Sequence, residues 1–536
     1  MFIGGCLKTN RRRGFFKVLL VALIFATWAF ISVGSASAAE WHVYPGQSIQ
    51  TAINNAGVDD TIYVHSGTYN EHVNVSKRLA LIGVGKPITD AGGNGSAITL
   101  SADGIVLDGF TVINSSGSYQ QGGILVYSSN NTVINNTASN NSHGIILNDT
   151  NTNTLSGNTA NLNTDDGIAL FSSSHNTLTG NTVDANYDGG IYLDSSSNNT
   201  LTDNTVDANY DVGIYLRYSN NNTLTGNTAT ANNDFGIWLS SSSNNTLTGN
   251  SALNNSENGI RLTSSSNNTL TGNNASNNTK GIDFYASSNN TLTDNIFSNN
   301  SYGIYMQYSS NNTINNNYFN NPNNAWDAGN NIWNITQISG TNIIGGSWLG
   351  GNYWSDYMGE DTNGDGIGDI PVPYNSSGNI VNGGDRLPLV KVEPSFFDTG
   401  EGTYPSISGT FTGTITPSQN LTVSTLYTYS CTGTGGHTKS FNLYENDTLR
   451  ASGVWSGYQG DWHNVTFTEV TLLKGHEYRY VIETVSYPQI VHAESKNVTG
   501  GRITYEDFVD INGKRHDNWM PAIRLSCAVK PRSGTK

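Results

Sequence analysis

The sequence predicts an all-β chain, a β-solenoid followed by a β-sandwich, from a strict repeat, invariant columns within it and a change of composition near residue 390. From Gly123 to Phe319 a Gly-Ile pair returns about every 22 or 23 residues, with glycine at 123, 144, 167, 190, 213, 236, 259, 281 and 303. A second column holds Val133, Leu155, Leu178, Leu201, Leu224, Leu247, Leu270, Leu292 and Ile314, and a third, three residues on, is asparagine from Asn136 to Asn317. A period of 20–50 residues without helical spacing inside the unit marks a β-solenoid.

The elements follow in chain order. Residues 1–39 are expected to be a signal peptide: Lys8, Arg11, Arg12 and Arg13 precede an apolar run from Val18 to Val33, and Ala36-Ser37-Ala38 is a small-residue cleavage site. The apolar run suits ordinary Sec export, although Arg12-Arg13 also resembles a twin-arginine signal. No second apolar run exists, so a mature chain without a membrane span is expected, secreted or at the cell surface. Residues 40–96 form an N-terminal cap and first turns, with strands at 41–44, 61–64 and 79–82 and a short helix over 48–56 that places Ile49 and Ile53 on one face. Residues 97–344 carry the repeats. Within 190–212, Ile191, Leu193 and Leu201 point inward, Asn204 sits at a bend and Val206 begins a third face, which gives a triangular section. Residues 345–392 are a Gly/Trp/Tyr/Asp-rich segment. Over 393–536 the asparagine beat is gone and short alternating runs separated by turn residues predict a β-sandwich.

A net charge of −16 with only 12% charged residues leaves no basic stripe, which excludes a nucleic-acid partner. Cys6 lies in the signal. Cys431 and Cys527 remain in the last module, and export makes a disulfide between them an expectation. Nothing in the sequence sets the oligomeric state.

Chemistry is sought on the outward columns. Beside the inward Ile stand Tyr192, Tyr215 and Trp238, then Arg261 and Asp283, and a neighbouring column holds Asp194 and Arg217. Aromatic faces one rung apart can stack sugar rings, and Asp194–Arg217 and Arg261–Asp283 can pair; equally, strands favour aromatics and like residues stabilise a sheet. Asp165, Asp188, Asp211, Asp234 and Glu257, two residues before each glycine, form an acidic column, either a row of turn residues or a place for cations. Catalysis would need an acid and a base about 6.5–9.5 Å apart for inversion, which neighbouring rungs can supply. Asn-Asn-Thr at 198, 221, 244, 267, 289 and 311 makes a column of glycosylation sequons whose first role is in the bends. Asp361, Asn363, Asp365, the Ile367 carbonyl and Asp369 match positions 1, 3, 5, 7 and 9 of a calcium loop with Gly366 at 6, and Asp385 is a candidate to complete the shell. Calcium is the expected cofactor.

The stretches Gly67–Glu71 and Leu107–Val112 resemble the first coils of pectin-lyase-like right-handed single-stranded parallel β-helices. The repeats, Gly351-Asn-Tyr-Trp-Ser-Asp-Tyr357, the Asp361–Asp369 loop and Asp385-Arg-Leu-Pro-Leu389 resemble the NosD-like, periplasmic copper-binding β-helix family. The resemblance implies a carbohydrate-binding or sugar-hydrolase-like role or assistance in copper-centre assembly. Copper wants Cys, Met or His, and His143, His175 and Met306 are scattered on the repeats, so copper is not expected. The final module resembles adhesive modules of archaeal surface proteins. The reading is a secreted or surface protein that binds a polysaccharide or cell-envelope glycan through Tyr192, Tyr215, Trp238, Arg217 and Arg261. A polysaccharide hydrolase or lyase on the same face is the alternative, and a structural envelope component or copper accessory protein the third.

Overall fold

A computed structural model describes residues 38–116, 120–361, 365–369, 372–391, 396–404, 407–431, 438–455, 464–485 and 487–527. The export segment, apart from Ala38 and Ala39, lies outside them. The chain forms two compact units that part at Leu389 and Val390.

The first unit is a right-handed parallel coil with three faces. Among the described residues, thirteen strands from Glu40–Val43 to Thr313–Asn315 make a leucine sheet. Nine strands from Thr68–Tyr69 to Ser251–Leu253 make a short sheet, and twelve from Val73–Val75 to Asn323–Asp327 make the glycine–isoleucine sheet. Coiling begins at once: Trp41 pairs with Ile62, and Ile62 with Leu81, so the 40–96 segment already supplies rungs. The helix Ile49–Asn55, capped by the Ser48 hydroxyl, buries Ile49 and Ile53. Identical side chains meet in register, Ile191 on Ile214 on Ile237 and Leu201 on Leu224 on Leu247, all fully buried.

What fixes the bends is asparagine. Each of the three corners carries a buried column whose backbone N–H donates to the side-chain oxygen of the next asparagine along the axis. Asn222 donates to Asn245 at 2.8 Å, Asn204 to Asn227 at 3.0 Å and Asn209 to Asn232 at 3.0 Å. The amide nitrogen reaches back to a carbonyl of the preceding rung, as Asn204 Nδ2 does to Leu178 O at 2.9 Å. The buried polar groups of the bends are thereby satisfied. The residue before each column is left-handed, as at Asn221, Gly226 and Ala231, where φ is 57°, 64° and 55°. Hence the Asn-Asn doublets: the first turns the corner and is exposed, the second is buried and bonded. The six sequon asparagines are these exposed first residues. The marker glycine is required for space, since a Cβ on Gly213 would stand 2.6 Å from Gly236 O and 2.7 Å from Asn232 Nδ2.

A one-way chain of hydrogen bonds needs an acceptor at its end, and each column finds an aspartate. Asn331 Nδ2 donates to Asp327 at 2.8 Å, Asn352 N to Asp385 at 2.7 Å and Asn324 Nδ2 to Asp356 at 2.5 Å. Trp333 Nε1, Trp354 Nε1 and the Tyr374 hydroxyl donate to the same three carboxylates. This corrects the expectation that Asp385 completes a calcium shell: it is fully buried and occupied by Asn352, Trp354 and Leu387. Trp354 lies on Phe319 at 4.5 Å and 11°, closing the interior.

Among the described residues the second unit has antiparallel sheets of four, six and two strands over one core that includes Phe397, Phe411, Leu426, Phe441, Tyr480 and Leu525. The expected Cys431–Cys527 disulfide does not form. Strands 421–428 and 523–526 pair antiparallel with Thr425 opposite Ser526 and Thr428 opposite Ile523, so the cysteines fall at opposite ends of one ladder. Seven residues of strand separate them by about 20 Å, far beyond disulfide reach. Cys431 is buried with Sγ 3.6 Å from Pro488 O, and Cys527 Sγ is exposed, 3.6 Å from Glu469.

Adjacent asparagines should therefore respond oppositely to mutation. Asn222→Ala strands the Asn199 N–H and the Ser196 carbonyl and should cost roughly 2–4 kcal/mol in chemical unfolding. Asn221→Gly, at a left-handed exposed position, should stay within about 1 kcal/mol of wild type.

Candidate functional site

Three rows run side by side along the axis where the short sheet turns into the glycine–isoleucine sheet. The first is on the corner: Tyr187 and Tyr210 stack at 5.0 Å and 3° and stay 68% and 60% exposed, in an open groove of about 610 Å³ that includes Leu162, Thr164, Asn233 and Ser256. The second is the acidic column, held one rung apart by backbone bonds from Asp211 N to Asp188 O and Asp234 N to Asp211 O, both 3.0 Å. The third is the aromatic column, with Tyr192 on Tyr215 at 5.2 Å and Tyr215 on Trp238 at 4.3 Å and 5°. Asp165, Asp166, Asp188, Asp211, Tyr192 and Tyr215 line a cleft of about 230 Å³ between the second and third rows.

The carboxyls of this cleft hold protons above the ordinary range. Burial raises Asp165 and Asp188, and the charge of Asp165 adds to the rise at Asp188. Asp166, buried, is raised well above the ordinary carboxylate range, by burial and then by Asp188 and Asp165. Asp211 is pushed up to about 6 by burial, by its hydrogen bond with Asp234 and by the charge of Asp188. Stacked carboxyls can share a proton where two charges would repel. His143, also wholly buried, sits at the end of the row: its Nδ1 accepts the Asp166 N–H at 3.2 Å and lies 3.4 Å from Asp165 Oδ2.

The sugar-binding residues expected from the sequence share one face, but not as flat platforms. Ring faces of Tyr192, Tyr215 and Trp238 cover one another, Trp238 Nε1 donates to Thr263 at 3.2 Å, and the column presents ring edges and hydroxyls. Arg217 lies 3.6 Å from Asp194 and 3.5 Å from the Tyr192 hydroxyl; Arg261 lies 3.7 Å from Asp283 and over the Phe235 and Trp238 rings. The same outward columns begin with Ala169, paired with Tyr192, and Phe171, paired with Asp194, and there they are buried with Leu125 and Ile146. Two functional features escaped the sequence reading. His143, considered in the sequence only as a copper donor, is on the rung before Asp166 and meets the acidic row. The repeated Tyr-Asp at 187–188 and 210–211 was the available signal for the exposed tyrosine row.

In the expected calcium loop Asn363 lies outside the described residues. Gly366 takes φ +86°, Ile367 is buried and bridges Leu389, and Asp369 N donates to Glu360 O at 2.9 Å.

The family described as "Periplasmic copper-binding protein (NosD)" matches residues 53–258 and 210–359, more than half of the chain. The chain belongs to the NosD family. No curated protein matches it in sequence. Among solved structures, the A-module of Azotobacter vinelandii mannuronan C-5 epimerase AlgE6 is 15% identical with TM-score 0.46, over 53% of this chain and 93% of that one. The Dettilon tailspike protein (gp208) is 15% identical with TM-score 0.41, over 84% and 94%. PfbA, a surface adhesin of Streptococcus pneumoniae, is 12% identical with TM-score 0.39, over 55% and 92%. No helix among the described residues of this NosD-family chain is long and apolar enough to cross a membrane.

Copper, which the family description implies, needs soft or imidazole donors. His143 is buried at the acidic row, His175 is exposed at another corner and Met306 is in the core, so these three do not converge. Two other imidazoles do: His42 and His65 face each other on the first coils.

The raised carboxyls give the stability a sign. A folded state that binds protons more tightly than the unfolded chain loses stability as pH rises from the unfolded value near 4 through the folded value near 6. Asp211→Asn should therefore raise stability at pH 7 relative to wild type and flatten its decline between pH 4 and 6, measured by chemical unfolding across that range.

Proposed function

We propose that the protein is exported and binds an envelope or extracellular polysaccharide lengthwise along this flank. The observation that carries the reading is that three rows of sugar-compatible groups, exposed tyrosine, carboxyl and aromatic edge, repeat together at one-rung spacing along the axis. A linear polymer presents the same groups at every step, and a surface with its own translational repeat meets it repeatedly. Tyr187 and Tyr210 offer apolar ring surface to sugar C–H groups. Carboxylates and tyrosine hydroxyls accept and donate hydrogen bonds to sugar hydroxyls. A row of like carboxyls repels uronate chains, so the ligand is an uncharged glycan. Arg217 and Arg261, each beside an aspartate, hold Tyr192 and Trp238 in place at the far edge of the surface.

A second reading, glycoside cleavage, has one observation in its favour. Asp188 and Asp211 lie on successive rungs, about 4.8 Å apart in the sheet direction, and both carboxyls are raised by burial and by neighbouring acids, so one can serve as acid while its neighbour is ionised. That spacing approaches the 5–5.5 Å of retaining hydrolysis.

One experiment separates the readings. The mature protein is incubated with neutral and uronate polysaccharides, and both retention and chain length are measured. Neutral glycan should be retained intact, and the double variant Tyr187→Ala, Tyr210→Ala should weaken retention about tenfold, the worth of about 1.4 kcal/mol, without moving the thermal midpoint. Shortened chains, lost in Asp188→Asn, would establish the second reading; no retention of any glycan would reject the first.

We also propose that calcium is held by Asp361, Asn363, Asp365, the Ile367 carbonyl and Asp369, on the strength of the ligand pattern. Calcium should raise the thermal midpoint of wild type and not of Asp365→Asn. An equal rise in both would place the ion elsewhere.

A further inference from the structure

Far from the acidic row in sequence, the first two coils bring two imidazoles nose to nose. His42 is on the outer face of strand Glu40–Val43 and His65 ends strand Thr61–His65. Parallel register sets His42 beside Tyr63, which leaves His65 on the diagonal, within reach of a long side chain. The rings are held in place by their neighbours: His42 stacks on Tyr63 at 5.2 Å and 19°, and Tyr44 on His65 at 4.3 Å and 8°. In this arrangement His42 Nδ1 is 3.1 Å from His65 Nε2.

Two neutral imidazoles so placed put one hydrogen between two nitrogens. We infer that His42 and His65 form a chelating site for a divalent transition metal ion of the imidazole-preferring class. The ion takes the position of that hydrogen. The proton moves to the other nitrogen of its own ring, both facing nitrogens become donors, and no proton need leave the pair. With metal–nitrogen bonds of about 2.0–2.1 Å, a 3.1 Å nitrogen separation spans an angle of about 100° at the metal. That lies between the square-planar angle suited to Cu2+ and the tetrahedral angle suited to Zn2+. His42 is exposed, so water can fill the remaining positions. The Irving–Williams order places Cu2+ above Zn2+ at such a site, and hard cations that demand oxygen ligands do not compete. The pair is the one place among the described residues where two imidazole nitrogens meet within hydrogen-bond distance. It stands apart from the calcium loop and from the acidic row, and does not depend on the glycan reading.

The test is a titration of the mature protein with CuCl2 and, separately, ZnCl2, in wild type, His42→Gln and His65→Gln. Calorimetry gives affinity, and electron paramagnetic resonance of the Cu2+ form counts coupled nitrogens. Wild type should take one Cu2+ with two coupled imidazole nitrogens. Each variant should bind it at least about tenfold more weakly, since a lost ligand costs no less than a lost outer-shell partner. Metal-free melting curves should coincide for all three proteins, because both side chains lie on the outer face, and added calcium should leave the titration unchanged. Copper bound through oxygen alone, or with equal affinity in wild type and both variants, overturns the assignment.

Discussion

The coil depends on one interaction, the hydrogen bond from an asparagine backbone N–H to the side-chain oxygen of the asparagine one rung further along. Main-chain bonds hold the faces of the prism, but a corner must turn within two or three residues and bury its polar atoms there. Asparagine supplies an acceptor for the neighbour's N–H and a donor for the previous rung's carbonyl in one short side chain. Three such columns, each turned by a left-handed residue just before it, fix the bends of successive coils to one geometry. The chains have a direction, and Asp327, Asp356 and Asp385 terminate them. The motif from Gly351 to Tyr357 is thus the closing device of the coil: Asn352 extends a column, Trp354 seals the interior and Asp356 ends another column.

Identical bends make identical rungs, and this is what builds the candidate site. A residue type repeated in sequence becomes a row in space, so five acids two places before the glycines become a line, and burial raises the carboxyls of Asp165, Asp188 and Asp211 within it. The same stacking that aligns Tyr192, Tyr215 and Trp238 turns their faces toward one another, so their outward surface is made of edges. Tyr187 and Tyr210 also stack, but on a corner, where they remain exposed. Corner and face therefore present different chemistry from the same residue types.

The solenoid, its glycine–isoleucine and leucine columns and the asparagine column from Asn136 to Asn317 were legible because each position repeats at nearly constant spacing with few residue types. Elsewhere the sequence carried no such signal. Asp385 reaches Asn352 across 33 residues with no periodic relation, and beside an aspartate-rich loop it looked like a ligand. The contact of His143 with Asp165 and Asp166 was not legible because it crosses between rungs and no column of histidines repeats there. The pairing of His42 with His65 is diagonal and lies in coils that depart from the 23-residue beat. Expected export and two cysteines in one module suggested a bridge; the antiparallel ladder between them decides otherwise.

Amide hydrogen exchange at the bends tests the central claim most directly. In a well-resolved spectrum of the intact protein, the backbone N–H groups of Asn204, Asn227 and Asn250 should be as slow to exchange as those of Leu201, Leu224 and Leu247 in the adjoining strands. Exchange of the asparagine amides at the rate of open loops, with the strand amides still protected, would show that the columns do not hold the corners.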